Sequence, residues 1–353
     1  MGVAEKGTVY VGISGGVDSA VSAYLLVQAG YSVVGIFMKN FTKMVMSNGE
    51  FSPCWTPEWH DAVRVAAHLG IPLQRWDFEE LYRSEVYDNF KQEYAAGRTP
   101  NPDVLCNSEI KFGAFFDAAI AAGADYIATG HYAQTNKSGD LLTAVDEEKD
   151  QTYFLNQISR AALCKTLFPI GHLTKAEVRD IARAAGLSVA EKKDSTGICF
   201  VGEVPLKELL GDFMKPTPGK IVTTQGEVIG EHDGMFYYTI GQRHGFGGGG
   251  RAPLYVVSKN FETNELVVGA ENDPALFSAT VVASACNWIS EPQIGEQLFA
   301  RFRHRQPLQA VLSWSISDER VILNTAQPQR AIAPGQFAVL YRRGECLGGG
   351  VIE

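Results

Sequence analysis

Short apolar runs alternate with helix-spaced segments through the first two hundred residues of this chain. Residues 8–13 read as a buried parallel strand. Residues 20–29 place Val21, Tyr24 and Leu25 at helical spacing, with Gly30 as the stop. A second strand is expected at 32–38. A helix follows at 57–69, with Thr56 as N-cap, Pro57 in the first turn and Gly70 as the stop. A third strand falls at 72–78. A long helix over 79–96 has Leu81, Val86 and Phe90 on one side and ends at Gly97. Further helices are expected at 108–122, from about 153 to 165, and after the capping box of Thr174 and Glu177 up to Gly186. A fourth strand lies at 125–129. Residues 41–56 carry no period and read as a loop. The alternation predicts βαβ units and a doubly wound parallel sheet, with ligands beyond the carboxyl ends of its strands.

After Pro205 helical spacing nearly disappears, and glycines punctuate short alternating runs. Strands are expected at 221–224, 228–230 and 235–239, with a glycine loop at 245–250. From 280 onward, runs at 299–303, 310–315, 321–324, 338–340 and 346–352 predict a small antiparallel barrel. The expected division is therefore 1–204, 205–279 and 280–353.

Composition removes several classes. The hydrophobic share is 45% and the net charge −9, so no general basic surface advertises a nucleic-acid binder. Any such contact must be local. No basic–apolar leader or run of 18 apolar residues occurs, so a cytoplasmic protein with no membrane span is expected. Six cysteines are scattered without a C-x-x-C pair, which predicts neither a disulfide framework nor a metal site.

The chemistry concentrates in four places. Gly12, Ile13, Ser14, Gly15, Gly16, Val17, Asp18 and Ser19 join the first strand to the first helix. Strand, glycine turn and helix aim backbone N–H groups at an anion. Gly15 and Gly16 suit positive φ and close approach to phosphate. Ser14 and Ser19 offer hydroxyls, and Asp18 can cap the helix or hold Mg²⁺. The loop lacks the lysine of a Walker A motif and the glycine spacing of a dinucleotide turn. Met38 and Gly130, at strand ends, are candidates for a nucleotide, and His131 is a site candidate. Next, Pro100 and Pro102 stiffen the segment bearing Asn101, Asp103 and Cys106, placing Cys106 at a helix N-terminus where its thiolate is favoured. A third place is the aperiodic polar stretch 191–200, which carries Cys199. Last, Arg301, Arg303, His304 and Arg305 form a basic cluster, with the arginines on one face if the strand continues. Gln336 sits at a nearby turn.

These strings resemble the tRNA-specific 2-thiouridylases. The matching segments are 12–19, 37–40, 97–107, 128–132, 149–155, 192–203, 239–243 and 346–350, spread over the whole chain. Residues 41–56 and the short glycine loop depart from the family pattern. The resemblance implies an ATP-pyrophosphatase domain, a small central β domain and a C-terminal barrel. It implies ATP with Mg²⁺, and replacement of O2 of the wobble uridine of a tRNA by sulfur. It assigns Cys199 as persulfide carrier and Cys106 as its partner thiol, joined at one stage in a disulfide. Asp103 would orient the base or move its proton, beside Asn101 and Pro102. Contacts with the tRNA anticodon loop are implied at His131, Lys149, Asp150, Gln151, Arg303, His304 and Gln336. An upstream sulfur-donor protein, a cysteine desulfurase or a relay, is implied as partner. A small-metabolite amidating ligase, or a non-catalytic RNA-binding or sulfur-carrier protein, would need no such pair of thiols beside a phosphate loop.

Overall fold

The computed structural model describes residues 6–47, 50–193, 206–211, 213–244, 253–317 and 320–353. Cys199, the boundary at 205 and the glycine loop at 245–250 lie outside the described residues.

The first unit is a five-stranded parallel sheet ordered Leu73–Asp77, Ser32–Lys39, Thr8–Gly12, Tyr126–Ala128, Thr166–Leu167. The central strands are apolar on both faces because helices cover both sides. In chain order the strands run 3-2-1-4-5, so the order reverses between Thr8–Gly12 and Tyr126–Ala128. The carboxyl-end crevice at that reversal is where such sheets hold ligands.

Several local expectations are corrected. The segment expected as a loop at 41–56 contains a hairpin, Met44–Ser47 against Glu50–Pro53. Its strands, four residues each, are too short for a periodic signal. The long helix over 79–96 has a wide π turn, Tyr82–Tyr87, between α-helical ends. The segment expected as a helix at 153–165 is a 3₁₀ turn, Thr152–Leu155, and a single turn, Arg160–Leu163. The helix at 57–69 begins at Thr56, and Thr56 is not its cap. The capping box at Thr174 is present and starts the helix Lys175–Ala184.

The second unit is a five-stranded sheet of Gly219–Thr223, Val228–His232, Arg243–His244, Leu254–Asn260 and Glu265–Gly269. The strand expected at 235–239 is instead a 3₁₀ turn, Met235–Tyr237, which follows Gly234 at φ 153°.

The third unit is a closed six-stranded antiparallel barrel. It runs Phe277–Trp288, Arg320–Arg330, Gln309–Ser317, Leu298–Arg301, Phe337–Arg342 and Glu345–Ile352, the last pairing back onto the first. Closure removes the exposed edges that a sheet this small would otherwise present. Its final strand also pairs with Leu141–Leu142 of the first unit. One core runs through the junction, joining Ile127, Leu141, Tyr153 and Leu155 to Ile289, Phe337, Tyr341 and Cys346. The buried Tyr153 hydroxyl donates to the Phe337 carbonyl at 3.2 Å. The barrel is thereby fixed against the face that carries the crevice.

Candidate functional site

The loop between the first strand and helix Val17–Gln28 is preordered by its own side chains. The Ser19 hydroxyl accepts from the Ser14 N–H at 3.2 Å and donates to the Gly16 carbonyl at 3.1 Å. Gly15 has φ +76°, and a Cβ there would lie 2.4 Å from the Glu58 carbonyl oxygen, so only glycine fits. Gly16 is extended at φ −96° and needs no such freedom, which corrects the expectation for that residue. Asp18 does not cap the helix. Its carboxylate accepts from the Lys175 ammonium at 2.8 and 2.9 Å and from the Tyr132 hydroxyl at 2.9 Å. On the other flank, Lys192 donates to the Gly15 carbonyl at 3.1 Å and pairs with Asp61 at 2.6 Å.

Gly130 lies against this loop. A Cβ on it would fall 2.6 Å from the Ser19 nitrogen and 2.8 Å from the Asp18 carbonyl carbon. Its close approach is thus to the main chain of the loop. Met38 lies across the same crevice, its Sδ-methyl against Gly12. Gly130→Ala must push two backbones apart, at a cost of about 1–3 kcal/mol. We expect the melting temperature to fall by a few degrees. An unchanged melting temperature would show that the contact does not hold the loop.

From His131, next to Gly130 in the chain, a line of polar contacts leads to the second cluster. The His131 ring, buried among Phe112 and Phe168, shares a proton with the Thr129 hydroxyl at 2.8 Å. Burial, and then the Lys111 charge, hold its pKa well below the usual histidine value, so the ring is neutral. Lys111 donates to Asn107 at 3.0 Å, and Asn107 donates to the Phe154 carbonyl at 3.0 Å. The Phe154 ring stacks on His304 with centroids 4.4 Å apart. Burial brings the His304 pKa down to about 4. Its Nδ1 is buried without a partner.

The helix bearing Cys106 starts at Pro102, earlier than expected, because proline at the first helical position loses no hydrogen bond. Cys106 therefore sits a turn inside the helix and not at its N-terminus. It is buried, 1% exposed, among Tyr82, Phe90, Ile110 and the central unit's Leu209, Leu210 and Phe236. Half-buried Asp103 lies in the first turn, Asn101 precedes it, and Pro102 is buried. The barrel clamps this segment. Gln336 Nε2 donates to the Thr99 and Pro100 carbonyls at 2.8 and 3.3 Å, and the Thr99 N–H donates to the Pro334 carbonyl at 2.9 Å.

The basic cluster differs from its expected form. The strand ends at Arg301 and Arg305 has φ 63°, so the three arginines do not share one face. Arg301 turns inward to Asp150 at 2.6 Å. Arg303 donates to the Ala331 and Ile240 carbonyls, and burial together with neighbouring Arg330 lowers its pKa from the usual guanidinium value. Asp150 is buried and faces inward, while Gln151 accepts from the Tyr132 N–H at 2.9 Å. Lys149 lies in the turn before them. Sequence reading gave no role to Asn107, Lys111, Tyr132, Lys175 or Lys192, although Asn107, Tyr132 and Lys192 lie in the family-like segments 97–107, 128–132 and 192–203. The i, i+4 spacing of Asn107 and Lys111 was a further local hint.

Among the described residues no group of three or more His, Cys, Asp or Glu side chains could hold a metal ion. No helix among them is long and apolar enough to cross a membrane.

Three family profiles match successive parts of the chain. A tRNA methyl transferase HUP domain matches residues 7–203, a tRNA methyl transferase PRC-barrel domain 207–270, and an aminomethyltransferase β-barrel domain 278–352. Similar curated relatives carry the name tRNA-specific 2-thiouridylase MnmA. That of Shouchella clausii is 49% identical, covering 99% of this chain and 97% of the relative. That of Oceanobacillus iheyensis is 51% identical over 98% and 94%. That of Streptococcus sanguinis is 47% identical over 99% and 96%.

Proposed function

This chain belongs to the tRNA-specific 2-thiouridylase family, and we propose that it replaces O2 of the wobble uridine of tRNA by sulfur in the crevice between loop 12–19 and the barrel. The observation that carries the reading is the unbroken line from Ser19 through Gly130, His131, Lys111 and Asn107 to the helix of Cys106. It supports a reading in which the phosphate loop and the helix of Cys106 serve one site.

A carbonyl oxygen at C2 is a poor leaving group until it is adenylated. In our reading ATP lies along loop 12–19, its phosphates at the N–H groups of Gly15 to Ser19, with Met38 and Gly130 walling the nucleotide. Mg²⁺ arriving with ATP would be held by Asp18 and phosphate oxygens and would withdraw charge from the departing pyrophosphate. Uridine O2 bonds to the α phosphorus, and the bridging oxygen leaves with its electron pair as pyrophosphate. Asp103 receives the N3 proton. The loop's contribution is position and charge complementarity.

Sulfur then comes from a persulfide on Cys199: either its terminal sulfur attacks C2 and the Cys106 thiolate then attacks the Cys199 sulfur, breaking the S–S bond and leaving the sulfur on the base, or Cys106 first makes that attack and releases sulfide, which attacks C2; each way ends in a Cys106–Cys199 disulfide. Both routes expel AMP. A thiol reductant restores the cysteines, and a separate donor protein reloads Cys199. The base leaves the anticodon stack to enter the site, where His304, Phe154 and neutral His131 offer faces for it. Lys149, Gln151, Arg303 and Gln336 border its path. The cytoplasm, which keeps thiols reduced, suits this cycle.

The test is nucleoside analysis of unmodified tRNA incubated with enzyme, ATP and a persulfide donor. The proposal requires 2-thiouridine to appear only when ATP is present. Methylated uridine, or no product from a folded and loaded enzyme, would reject it.

A further inference from the structure

A loop that releases pyrophosphate needs a cation to meet the growing charge. The Walker A motif places a lysine inside its loop. Loop 12–19 has none. The fold instead brings two lysines to the flanks of the loop from more than 150 residues away in sequence.

Their situations differ. Lys192 holds the Gly15 carbonyl and the Asp61 carboxylate of a neighbouring helix, which fixes Gly15 in its positive-φ turn. Lys175 holds the loop's own carboxylate. Its Nζ lies 2.8 and 2.9 Å from the two Asp18 oxygens and 5.7 Å from the Tyr132 ring centroid. Its side chain is 14% exposed, so the charge is largely withdrawn from water and its field is only weakly screened. The backbone is anchored on both sides: the Lys175 N–H donates to Asp146 at 2.9 Å, and Thr174 and Glu177 close the capping box around it.

We propose that Lys175 is the catalytic cation of the pyrophosphate half of the site. Resting on the proposed adenylation, it passes from the Asp18 carboxylate to the β and γ phosphate oxygens as ATP enters. As the bond between the α phosphorus and the bridging oxygen breaks, the electron pair departs with pyrophosphate and its charge is met by the Lys175 N–H donors. Asp18 keeps its orientation after the exchange because the Tyr132 hydroxyl still donates to it at 2.9 Å.

The experiment compares wild type with Lys175→Met by calorimetric titration with inorganic pyrophosphate and, separately, with AMP, alongside tRNA-dependent pyrophosphate release. Lys175→Met should bind pyrophosphate at least tenfold more weakly and AMP within about threefold of wild type. Its kcat for release should fall by about 10²–10³, the range for removing one charge-stabilising donor, with little change in the KM for ATP. Lys175→Arg, which keeps the charge, should recover most of the pyrophosphate affinity. Equal pyrophosphate affinity in wild type and Lys175→Met would overturn the proposal, as would an equal loss of AMP binding, the mark of a merely structural role. If Lys175→Met fails to fold, Lys175→Gln, which can still hydrogen-bond Asp18, carries the same comparison. Wild type that releases no pyrophosphate with tRNA would instead refute the adenylation reading.

Discussion

Cys199→Ser abolishes thiolation, by about 10³-fold or more, and leaves tRNA-dependent pyrophosphate release standing. A serine hydroxyl cannot carry a sulfane sulfur, because the O–S bond it would need is not formed by thiol exchange. In the proposed cycle adenylation needs only loop 12–19 and the bound base, so it should proceed without the thiol. Losses of this size are usual when a covalent carrier is removed and the binding surface is left intact. Cys106→Ser should show the same separation. Its effect on stability should be larger, because Cys106 lies in a packed cluster with Tyr82, Phe90 and the central unit's Leu209 and Phe236. The measurement is parallel quantification of 2-thiouridine and pyrophosphate from one reaction. A Cys199→Ser enzyme that still thiolates from a persulfide donor would remove the carrier role.

Arg301→Met destabilises the whole molecule by about 3–5 kcal/mol. Asp150 is 1% exposed on its side chain and Arg301 is 12% exposed, with 2.6 Å between them. Asp150 also accepts from the Ala144 N–H at 3.1 Å and the Thr152 hydroxyl at 2.8 Å. Arg301 lies over the Tyr341 ring at 5.2 Å. The pair joins the barrel strand Leu298–Arg301 to the turn bearing Lys149 and Gln151. Methionine preserves the stem and removes the charge, leaving the Asp150 carboxylate buried and unpaired. Melting should fall by about 5–10 °C. The double variant Arg301→Met, Asp150→Asn should regain much of that, since no bare charge remains. A single variant melting within 1 °C of wild type would show that the pair does not hold the junction.

The parts of the fold legible in the sequence are those with local causes. Gly30, Gly70 and Gly97 all have positive φ and end helices as their positions imply. The capping box at Thr174 needs only residues three apart. The alternation of apolar runs and helices sufficed for the parallel sheet, and the family strings for the three-unit order. What failed was set at a distance. Nothing near Arg301 reveals that Asp150 will meet it, so an inward ion pair read as one corner of a basic face. That Gly130 packs on the loop itself was not legible either, because nothing near it in the chain announces that Ser19 will lie against it. That two lysines would flank the phosphate loop was not legible for the same reason: both come from beyond residue 170, and only the folded sheet delivers them. Pro102 misled in a different way. The same fixed φ suits extended chain and a helix start, and the packing of Cys106 decided for the helix.

The most direct test of the account is pyrophosphate release from ATP by wild-type enzyme, with and without unmodified tRNA. The account predicts release that depends on tRNA and matches AMP formed one for one. Release at the same rate without RNA would mean that the oxygen activated at this loop belongs to some other acceptor, and would contradict the thiolation reading.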